Sequence, residues 1–323
     1  MMKSQNSNLR NAKVTRNDEF YTRLIDIEKE LKYYHDHFRG KTVYLNCDDP
    51  RKSQFFHYFS YRFACLGLKK LICTGYKADG NGVKCVFTGG NPEKKEIEFL
   101  EGTGGFETRE CIELLEESDI VVSNPPFSRF REYVALLVEH NKKFLIVGNK
   151  NAITYAEIFP LIKRDKLWLG VTSPKGFTTP EGYTARNVVN GVAKFGNIGW
   201  FTNLHHYRRK EELIIREEYN EEDYPKYANY DAINVDKVED IPIHDGTMGV
   251  PITFLDRYNS AQFEIIGIGI ANLGLEIGVK PYKPEHKKYR KEVQKCGAVD
   301  GDLYMMVDGV VTVPYTRILI RRK

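Results

Sequence analysis

Several features that define other protein classes are missing from this 323-residue sequence. Its six cysteines form no Cys-x-x-Cys pair, which argues against a zinc ribbon, a redox centre or a disulfide framework. It has no long uncharged apolar run and no N-terminus of the signal-peptide type, so we expect neither a membrane-spanning nor a secreted protein. The cysteines therefore predict reduced thiols in a cytoplasmic protein. The histidine pairs His35/His37 and His205/His206 lack the further ligands that a metal site needs.

What is present is the composition of an ordinary globular protein. Hydrophobic residues make up 41% and charged residues 28%, and this length suits one large or two modest domains. A net charge of +4 makes the chain mildly basic, which is compatible with a polyanionic partner. Residues 1–16 are polar and basic, and we expect them to be flexible without a ligand.

Apolar residues at helical spacing alternate with short apolar runs along the first part of the chain. Uniformly apolar strands that alternate with helices predict an α/β fold with a parallel sheet. Ligands bind at the carboxyl ends of such strands, so the loops after the strands are the informative ones. The predicted helices are 24–38, 56–66 (with a cap at Ser53), 109–117 and 130–137, and the predicted strands are 42–46, 71–74, 83–87, 97–100, 120–122 and 144–147.

The pattern changes near residue 205, where charge rises and short β-like runs follow without clear helices between them. We therefore predict a first domain over residues 1–204 and a β-rich region over residues 205–323. The glycines at 267 and 269 predict a bulged strand, because they lack the context of a dinucleotide-binding fingerprint. The β-like runs are 232–235, 252–255, 263–268, 304–307 and 318–320.

The strand that is predicted to end at Val122 is followed by Ser-Asn-Pro-Pro-Phe. The side-chain carbonyl of Asn124 and the backbone carbonyl of Pro125, held still by its ring, make two acceptors at a fixed separation. Such a pair can hold both hydrogens of an exocyclic amine, while the ring of Phe127 stacks on the heterocycle. A base held in this way must first leave the double helix. Alternatively, the segment is a proline-rich turn whose phenylalanine belongs to the core.

This segment resembles the catalytic motif of amino-methyltransferases that act on adenine N6, and its surroundings resemble the EcoRI-type adenine-specific DNA methyltransferases. The similar segments follow one another along most of the chain, which makes the resemblance far more specific than Asn-Pro-Pro-Phe alone. They are NDEFYT (17–22), VYLNCDDP (43–50), LGLKKLICTGYK (66–77), SDIVVSNPPFSRFREYV (118–134), KKFLIVGNKNAITY (142–155), GWFTNL (199–204), YPKYANYDAINV (224–235) and GVPITFLDRYN (249–259).

The resemblance implies a Rossmann-like sheet, S-adenosylmethionine as the methyl donor, no metal cofactor, and double-stranded DNA as the partner. Transfer would be direct, to N6 of a flipped adenine, without a covalent enzyme intermediate. The implied catalytic residues are Asn124, Pro125, Pro126 and Phe127. The implied donor-binding residues are Phe20, Tyr21, Thr22, Asn46, Asp48, Asp49, Tyr76, Phe106 and Ser123.

The chain departs from the wider methyltransferase superfamily in its donor loops. The usual Gly-rich turn is replaced by Asn-Cys-Asp-Asp-Pro, which is the sequence of the EcoRI-type branch itself. Either Asp48 or Asp49 can accept from the donor's ammonium group, or cap the next helix. No acid follows the second strand to take the ribose hydroxyls, although Thr74 or Tyr76 can substitute. Gly105 stands where the resemblance leads us to expect an aspartate near the donor's adenine amine.

Target recognition is expected in the β-rich region. Its basic clusters can contact DNA phosphates, which would make binding salt-dependent, although solvated charge explains them equally well. The sequence does not determine which DNA site is recognised or whether a paired restriction nuclease exists. It also leaves the oligomeric state open, including whether the protein is a monomer. The DNA-binding candidates are Arg208, Arg209, Lys210, Lys287, Lys288 and Arg290.

Two other functions stay open on the sequence. The first is methylation of another planar amine, such as cytosine N4, an RNA adenine or a protein glutamine. The second is a DNA-binding relative that has lost catalysis, for which Gly105 is the only support.

Overall fold

The computed structural model describes residues 21–179, 188–189 and 191–323, which fall into two compact units. The first unit runs up to Ile158 and includes Leu167–His206, and the second consists of Phe159–Lys166 and Tyr207–Lys323. The segment 1–16, predicted to be flexible, lies outside the described residues. The functional division into residues 1–204 and 205–323 stays a prediction.

The first unit holds twelve of the strands and six of the α-helices that the structure describes. Three short 3-10 helices, Pro92–Lys94, Phe127–Arg129 and Lys150–Thr154, connect them. The strands are β1 (Tyr21–Thr22), β2 (Thr42–Leu45), β3 (Lys70–Gly75), β4 (Val83–Phe87), β5 (Glu98–Phe99), β6 (Ile120–Ser123), β7 (Lys143–Asn149), β8 (Trp168–Leu169), β9 (Phe177–Thr178), β10 (Val188–Val189), β11 (Val192–Ala193) and β12 (Ile198–Thr202). The helices are α1 (Leu24–Leu31), α2 (His35–Phe38), α3 (Gln54–Tyr61), α4 (Phe63–Leu66), α5 (Arg109–Glu117) and α6 (Phe130–Glu139).

A large mixed sheet forms the centre of this unit, with the strand order β5-β4-β3-β2-β6-β7-β12-β8. The neighbours β3, β2, β6 and β7 are parallel, and antiparallel strands extend the sheet at both edges. All residues of β2 and β6 are buried, which explains why their sequences are mostly apolar. The predicted α/β class is thus confirmed, with the addition of antiparallel edges to the predicted parallel sheet.

A smaller sheet in the same unit has the order β1-β9-β11-β10, and one buried acid anchors the loop that precedes β9. Glu30 in α1 is fully buried, and its carboxylate accepts hydrogen bonds from the Tyr34 hydroxyl at 2.8 Å and the Val171 backbone N–H at 2.8 Å. The backbone N–H and the hydroxyl of Thr172 each donate to it at 2.6 Å. Burial raises the pKa of Glu30. The carboxylate therefore anchors the loop that leads into β9.

Two predicted helices are each divided in the structure. The predicted helix 24–38 forms α1 and α2, and the predicted helix 56–66 forms α3 and α4. Arg62 leaves the helical conformation at the second division, and its guanidinium pairs with Glu28 of α1 at 2.5 Å. The predicted cap is confirmed, because the hydroxyl of Ser53 accepts the backbone N–H three residues further on at 3.2 Å.

The strands of the second unit are β13 (Glu217–Glu218), β14 (Ile233–Asn234), β15 (Pro242–Ile243), β16 (Met248–Pro251), β17 (Phe263–Ile268), β18 (Met305–Val307), β19 (Val310–Thr312) and β20 (Arg317–Arg322). Four of them form a sheet with the order β14-β16-β20-β17, in which only β14 and β16 are parallel neighbours. Two-stranded pairs form between β13 and β15 and between β18 and β19. None of the described helices is long and apolar enough to cross a membrane. The helices are α7 (Phe159–Lys163), α8 (Ala271–Glu276), α9 (Pro284–Glu292) and the 3-10 helices Tyr207–Lys210, Val238–Asp240 and Ile252–Arg257.

Two predictions for this unit were wrong. The apolar run 252–255 is part of a 3-10 helix and not a strand. It follows Pro251, which has no backbone N–H to continue the ladder of β16. Helices α8 and α9 also occur where no helix was predicted. Helix α9 is highly charged and has no buried residue, so no apolar periodicity could indicate it. The predicted bulge in β17 is confirmed by a register shift between Ile265 and Gly267.

Candidate active site

The loops that follow β2, β3, β5 and β6 line one cavity of about 610 Å³ in the first unit. The predicted site residues in its wall are Tyr21, Thr22, Asp48, Asp49, Tyr76, Phe106, Asn124 and Pro126. Four other predicted residues, Asn46, Ser123, Pro125 and Phe127, are not among the residues that line it. Phe20 lies outside the described residues.

The loop after β2 places a buried carboxylate in the cavity wall. Asp48 is only 7% exposed, and it accepts hydrogen bonds from the Ser53 hydroxyl at 2.9 Å and the Ser123 hydroxyl at 3.3 Å. The backbone N–H of Asn124 is a further donor. Burial raises the pKa of Asp48 to about 7. In the described part of the chain no cation pairs with this carboxylate, so its ionised form would gain from a positively charged ligand group.

Asp49, the next residue, has a different environment. The Nε of Arg51 donates to both carboxylate oxygens at 2.8 and 3.1 Å, and a terminal nitrogen donates at 2.6 Å. Burial acts to raise the pKa of Asp49, but the hydrogen bonds and the charge of Arg51 outweigh it, and the pKa lies below its usual value. Asp49 is therefore an ionised acid with its own protein counter-charge.

The turn itself forms without the glycines that the wider superfamily uses. Cys47 takes the left-handed conformation, with φ at 65°. Behind it, the side chain of Asn46 is fully buried, and its backbone carbonyl accepts the Ser123 hydroxyl. The Oδ1 of Asn46 accepts from the Thr74 hydroxyl at 3.4 Å. Asn46 and Ser123 thus connect the loops of β2, β3 and β6 from behind the cavity wall.

The loop after β5 depends on a glycine and carries an aromatic ring. Gly104 has a φ of +74°, and a Cβ there would lie 2.7 Å from the carbonyl oxygen of Gly75. Phe106 is 4% exposed, with its edge against the ring of Tyr133 at 5.0 Å between centroids. The guanidinium of Arg129 lies 4.5 Å from the centroid of the Phe106 ring.

The Asn-Pro-Pro-Phe segment joins the end of β6 to a short 3-10 helix. Asn124 is half-buried and lines the cavity, and its backbone N–H donates to Asp48. Phe127 is half-buried, and its ring packs edge-on against Phe177 of β9 with centroids 6.3 Å apart. Phe177 is fully buried, so a core aromatic fixes the position of the Phe127 ring.

Comparison with known proteins identifies the family to which this chain belongs. The family described as "Adenine-specific methyltransferase EcoRI" matches residues 8–323. The chain belongs to this family. It is 46% identical to Type II methyltransferase M.EcoRI of Escherichia coli over 308 residues, which cover 86% of the chain and 94% of that relative. It is 43% identical to Type II methyltransferase M.MpnI of Mycoplasma pneumoniae over 269 residues, which cover 79% of the chain and 83% of that relative. No solved structure matches the chain.

Sequence patterns missed several residues of the methyltransferase cavity. Some of them directly follow a motif, so their position along the chain is a usable signal. Glu107 also follows a predicted residue, Phe106, but its approach to Gly105 depends on how the loop folds. The missed residues are Cys47, Arg51, Lys52, Gln54, Phe55, Lys77, Thr103, Gly104, Glu107, Ser128 and Arg129.

The first basic cluster predicted to bind DNA lies on a 3-10 helix of the second unit of the methyltransferase. The side chain of Arg209 is 8% exposed and forms an ion pair with Asp165. Arg208 is half-buried, and Lys210 is exposed. Within this cluster Arg209 therefore has a structural role in the protein, and Lys210 is accessible to solvent.

The second basic cluster lies on α9, and its two faces differ. Lys287 forms an ion pair with an aspartate at 2.6 Å, and Arg290 donates to a glutamine side chain at 2.9 Å. Lys288 is 72% exposed, with only a long contact of 3.9 Å to a glutamate. Lys291, three residues further on, is also exposed. One face of the helix is thus bound to the protein, and the other presents lysines to solvent.

Proposed function

We propose that this methyltransferase transfers a methyl group from S-adenosylmethionine directly to N6 of an adenine that has been flipped out of duplex DNA. The observation that carries the proposal is the link between the two halves of the site. The backbone N–H of Asn124, in the motif proposed to hold the target amine, donates to Asp48 in the cavity proposed to hold the donor. Family membership and the named relatives support the same activity.

The cavity fits the donor that methyltransferases generally use. Its volume of about 610 Å³ lies in the range of roughly 300–1,000 Å³ that is usual for small-molecule sites. Thr22 in its wall keeps a buried hydroxyl that has no hydrogen-bond partner within the described chain. Asp48 offers a carboxylate without a counter-charge. S-adenosylmethionine supplies a transferable methyl group on a positively charged sulfur, and it carries an ammonium group as well.

We assign the two acids of the first loop different roles. Asp48 would take the donor's ammonium group, because it is buried in the wall and lacks a cation. Asp49 would hold the turn, since Arg51 already neutralises it. Phe106 would cover the donor's adenine, and Tyr76, which is half exposed in the wall, would take the ribose hydroxyls.

The catalytic residues act by holding the target amine. The side-chain carbonyl of Asn124 and the backbone carbonyl of Pro125 accept the two N6 hydrogens and so orient the lone pair. The Pro126 ring keeps this corner rigid, and Phe127, supported by Phe177, stacks on the adenine. The rate enhancement then comes from positioning two reactants in one pocket, without a nucleophilic side chain.

The central strand arrangement supports a Rossmann-like sheet for the catalytic domain, proposed here as residues 1–204. Four adjacent parallel strands with a cavity at their carboxyl ends are typical of such sheets. We propose that residues 205–323 recognise the target sequence. Lys288 and Lys291 on the exposed face of α9, together with Lys210, would contact phosphates, while Arg209 and Lys287 hold the second unit together.

The experiment is methyl transfer from labelled S-adenosylmethionine to unmodified duplex DNA, followed by digestion to nucleosides. We expect N6-methyladenine, confined to one short sequence when the products are read base by base. Parallel reactions with RNA, with cytosine-only target sites and with glutamine-containing protein test the other planar amines. Label in N4-methylcytosine, RNA or protein, with none in duplex adenine, would overturn the proposal.

A further inference from the structure

The loop after β5 lacks the aspartate that the resemblance leads us to expect, but a neighbouring acid occupies its space. A Cβ built on Gly105 would lie 3.3 Å from Oε2 of Glu107 and 3.6 Å from the hydroxyl oxygen of Thr103. Gly105 has no positive φ, so its backbone would accept an aspartate. The carboxylate of Glu107 thus lies where the side chain of an aspartate at position 105 would extend.

Glu107 also faces the proposed donor cavity. It lines that cavity together with Phe106 and Arg129. Its Oε1 accepts from a terminal nitrogen of Arg129 at 2.5 Å, and the same guanidinium lies over the Phe106 ring. Arg129 follows the Asn-Pro-Pro-Phe segment within the same 3-10 helix. One cluster therefore joins a carboxylate, an arginine and an aromatic face at the edge of the cavity.

Fold stability does not account for this cluster. The side chains of Glu107 and Arg129 are 51% and 45% exposed, and ion pairs at such exposure contribute little to folding. The hydrogen bond from Arg129 does hold the carboxylate in one orientation. A carboxylate held in one orientation next to an aromatic face suits a planar base that offers N–H donors.

We infer that Glu107 recognises the donor's adenine by accepting a hydrogen from its exocyclic amine, and that Arg129 positions Glu107 for this contact. The inference rests on the donor site proposed above. A carboxylate has acceptors only, so it favours an amine over the carbonyl oxygen that a deaminated base carries at the same position. Glu107 would thereby supply the group that Gly105 lacks, and Gly105 would no longer indicate a loss of catalysis.

The test compares two ligands by calorimetry on the full chain. S-adenosylhomocysteine keeps the amine, and S-inosylhomocysteine carries a carbonyl oxygen in its place. We expect the wild-type protein to prefer the adenosyl ligand by about tenfold or more, as charge-assisted hydrogen bonds usually provide. Glu107→Gln should lower this preference to about twofold, chiefly by weakening the adenosyl complex, because an amide can offer its carbonyl oxygen to the amine or its NH2 group to the carbonyl oxygen.

Further variants make the test specific. Glu101→Gln removes an exposed acid of the same loop that is not among the cavity-lining residues, and it should leave the preference unchanged. Glu107→Ala should also lose the preference, and adding Gly105→Asp to it should restore the preference, because the new carboxylate enters the space that the glutamate side chain leaves. An unchanged preference in Glu107→Gln would overturn the role of Glu107 alone. A wild-type protein that binds neither ligand would overturn the donor site as well.

Discussion

The affinity for the donor should depend on pH through one carboxyl group. Because burial raises the pKa of Asp48 to about 7, this side chain is mostly neutral below that pH in the ligand-free protein. The ammonium group of the ligand favours the ionised form. Binding below pH 7 must therefore release a proton, and the affinity should rise with pH until Asp48 is ionised before the ligand arrives.

The size of the effect follows from this pKa. At pH 5.5 the neutral form of Asp48 outnumbers the ionised form by roughly thirty to one, and at pH 7.5 the ionised form dominates. The Kd of S-adenosylhomocysteine should therefore be about twenty-five-fold higher at pH 5.5 than at pH 7.5. The stability of the ligand-free protein changes in the opposite direction. Since the pKa of Asp48 in the folded protein exceeds the ordinary value of 3.8, the contribution of this group to the free energy of unfolding falls as pH rises towards 7.

The assay is calorimetric titration in pairs of buffers that differ in ionisation enthalpy, which counts the protons released on binding. We expect about 0.9 proton released per ligand at pH 6 and much less at pH 7.5. Asp48→Asn should bind more weakly and lose the pH dependence. A Kd that is constant over this range in the wild-type protein would refute the reasoning, and so would a pH dependence that persists in Asp48→Asn.

Three further predictions concern the fold and the DNA surface. In the wild-type protein, the backbone N–H groups of Val171 and Thr172 donate to the carboxylate of Glu30. Glu30→Gln replaces this carboxylate with an amide, and it should lower the free energy of unfolding in urea by about 2–4 kcal/mol. Gly104→Ala should cost about 2–4 kcal/mol and weaken donor binding, because its φ is positive and its Cβ would meet a carbonyl oxygen. Replacing Lys288 and Lys291 by alanine should lower the slope of log affinity for duplex DNA against log salt by about one unit for each phosphate contact that is lost.

Each of these variants has a matched control. Glu28→Gln, on the same helix as Glu30, removes an exposed partner of Arg62 and should cost about 0.5 kcal/mol or less. Gly105→Ala should change the free energy of unfolding by about 0.5 kcal/mol or less, because its φ is ordinary and the nearest atom belongs to the exposed side chain of Glu107. Lys237→Ala removes another exposed lysine and should not change the salt slope. Equal effects in a variant and its control would contradict the corresponding explanation.

Much of the fold of the first unit could be predicted because its central strands are buried apolar runs that alternate with helices. The predicted helix 109–117 has the bounds of α5, and every predicted strand of the main sheet is present. The divided helices could not be predicted, since the apolar spacing continues across each division. At the second division, an ion pair between Arg62 and Glu28 of α1 accompanies the break.

The candidate site was predictable where a motif carries its own chemistry. Asn124 and Asp48 could be singled out from their place after buried strands, and the structure brings both to one cavity. The sequence left the roles of Asp48 and Asp49 open, because they differ only in burial and in the arginine that pairs with one of them. Glu107 could not be found from the sequence, since its place depends on the fold of the loop around Gly105.

The most direct test of the central claim measures a single turnover of methyl transfer to duplex DNA that carries the target site. Asn124→Ala should bind the donor and the DNA, yet transfer methyl groups about a hundredfold to a thousandfold more slowly, as expected when one orienting group is removed. Phe177→Leu should be intermediate, because it weakens only the support of Phe127. A normal transfer rate in Asn124→Ala, with both ligands bound, would contradict the account.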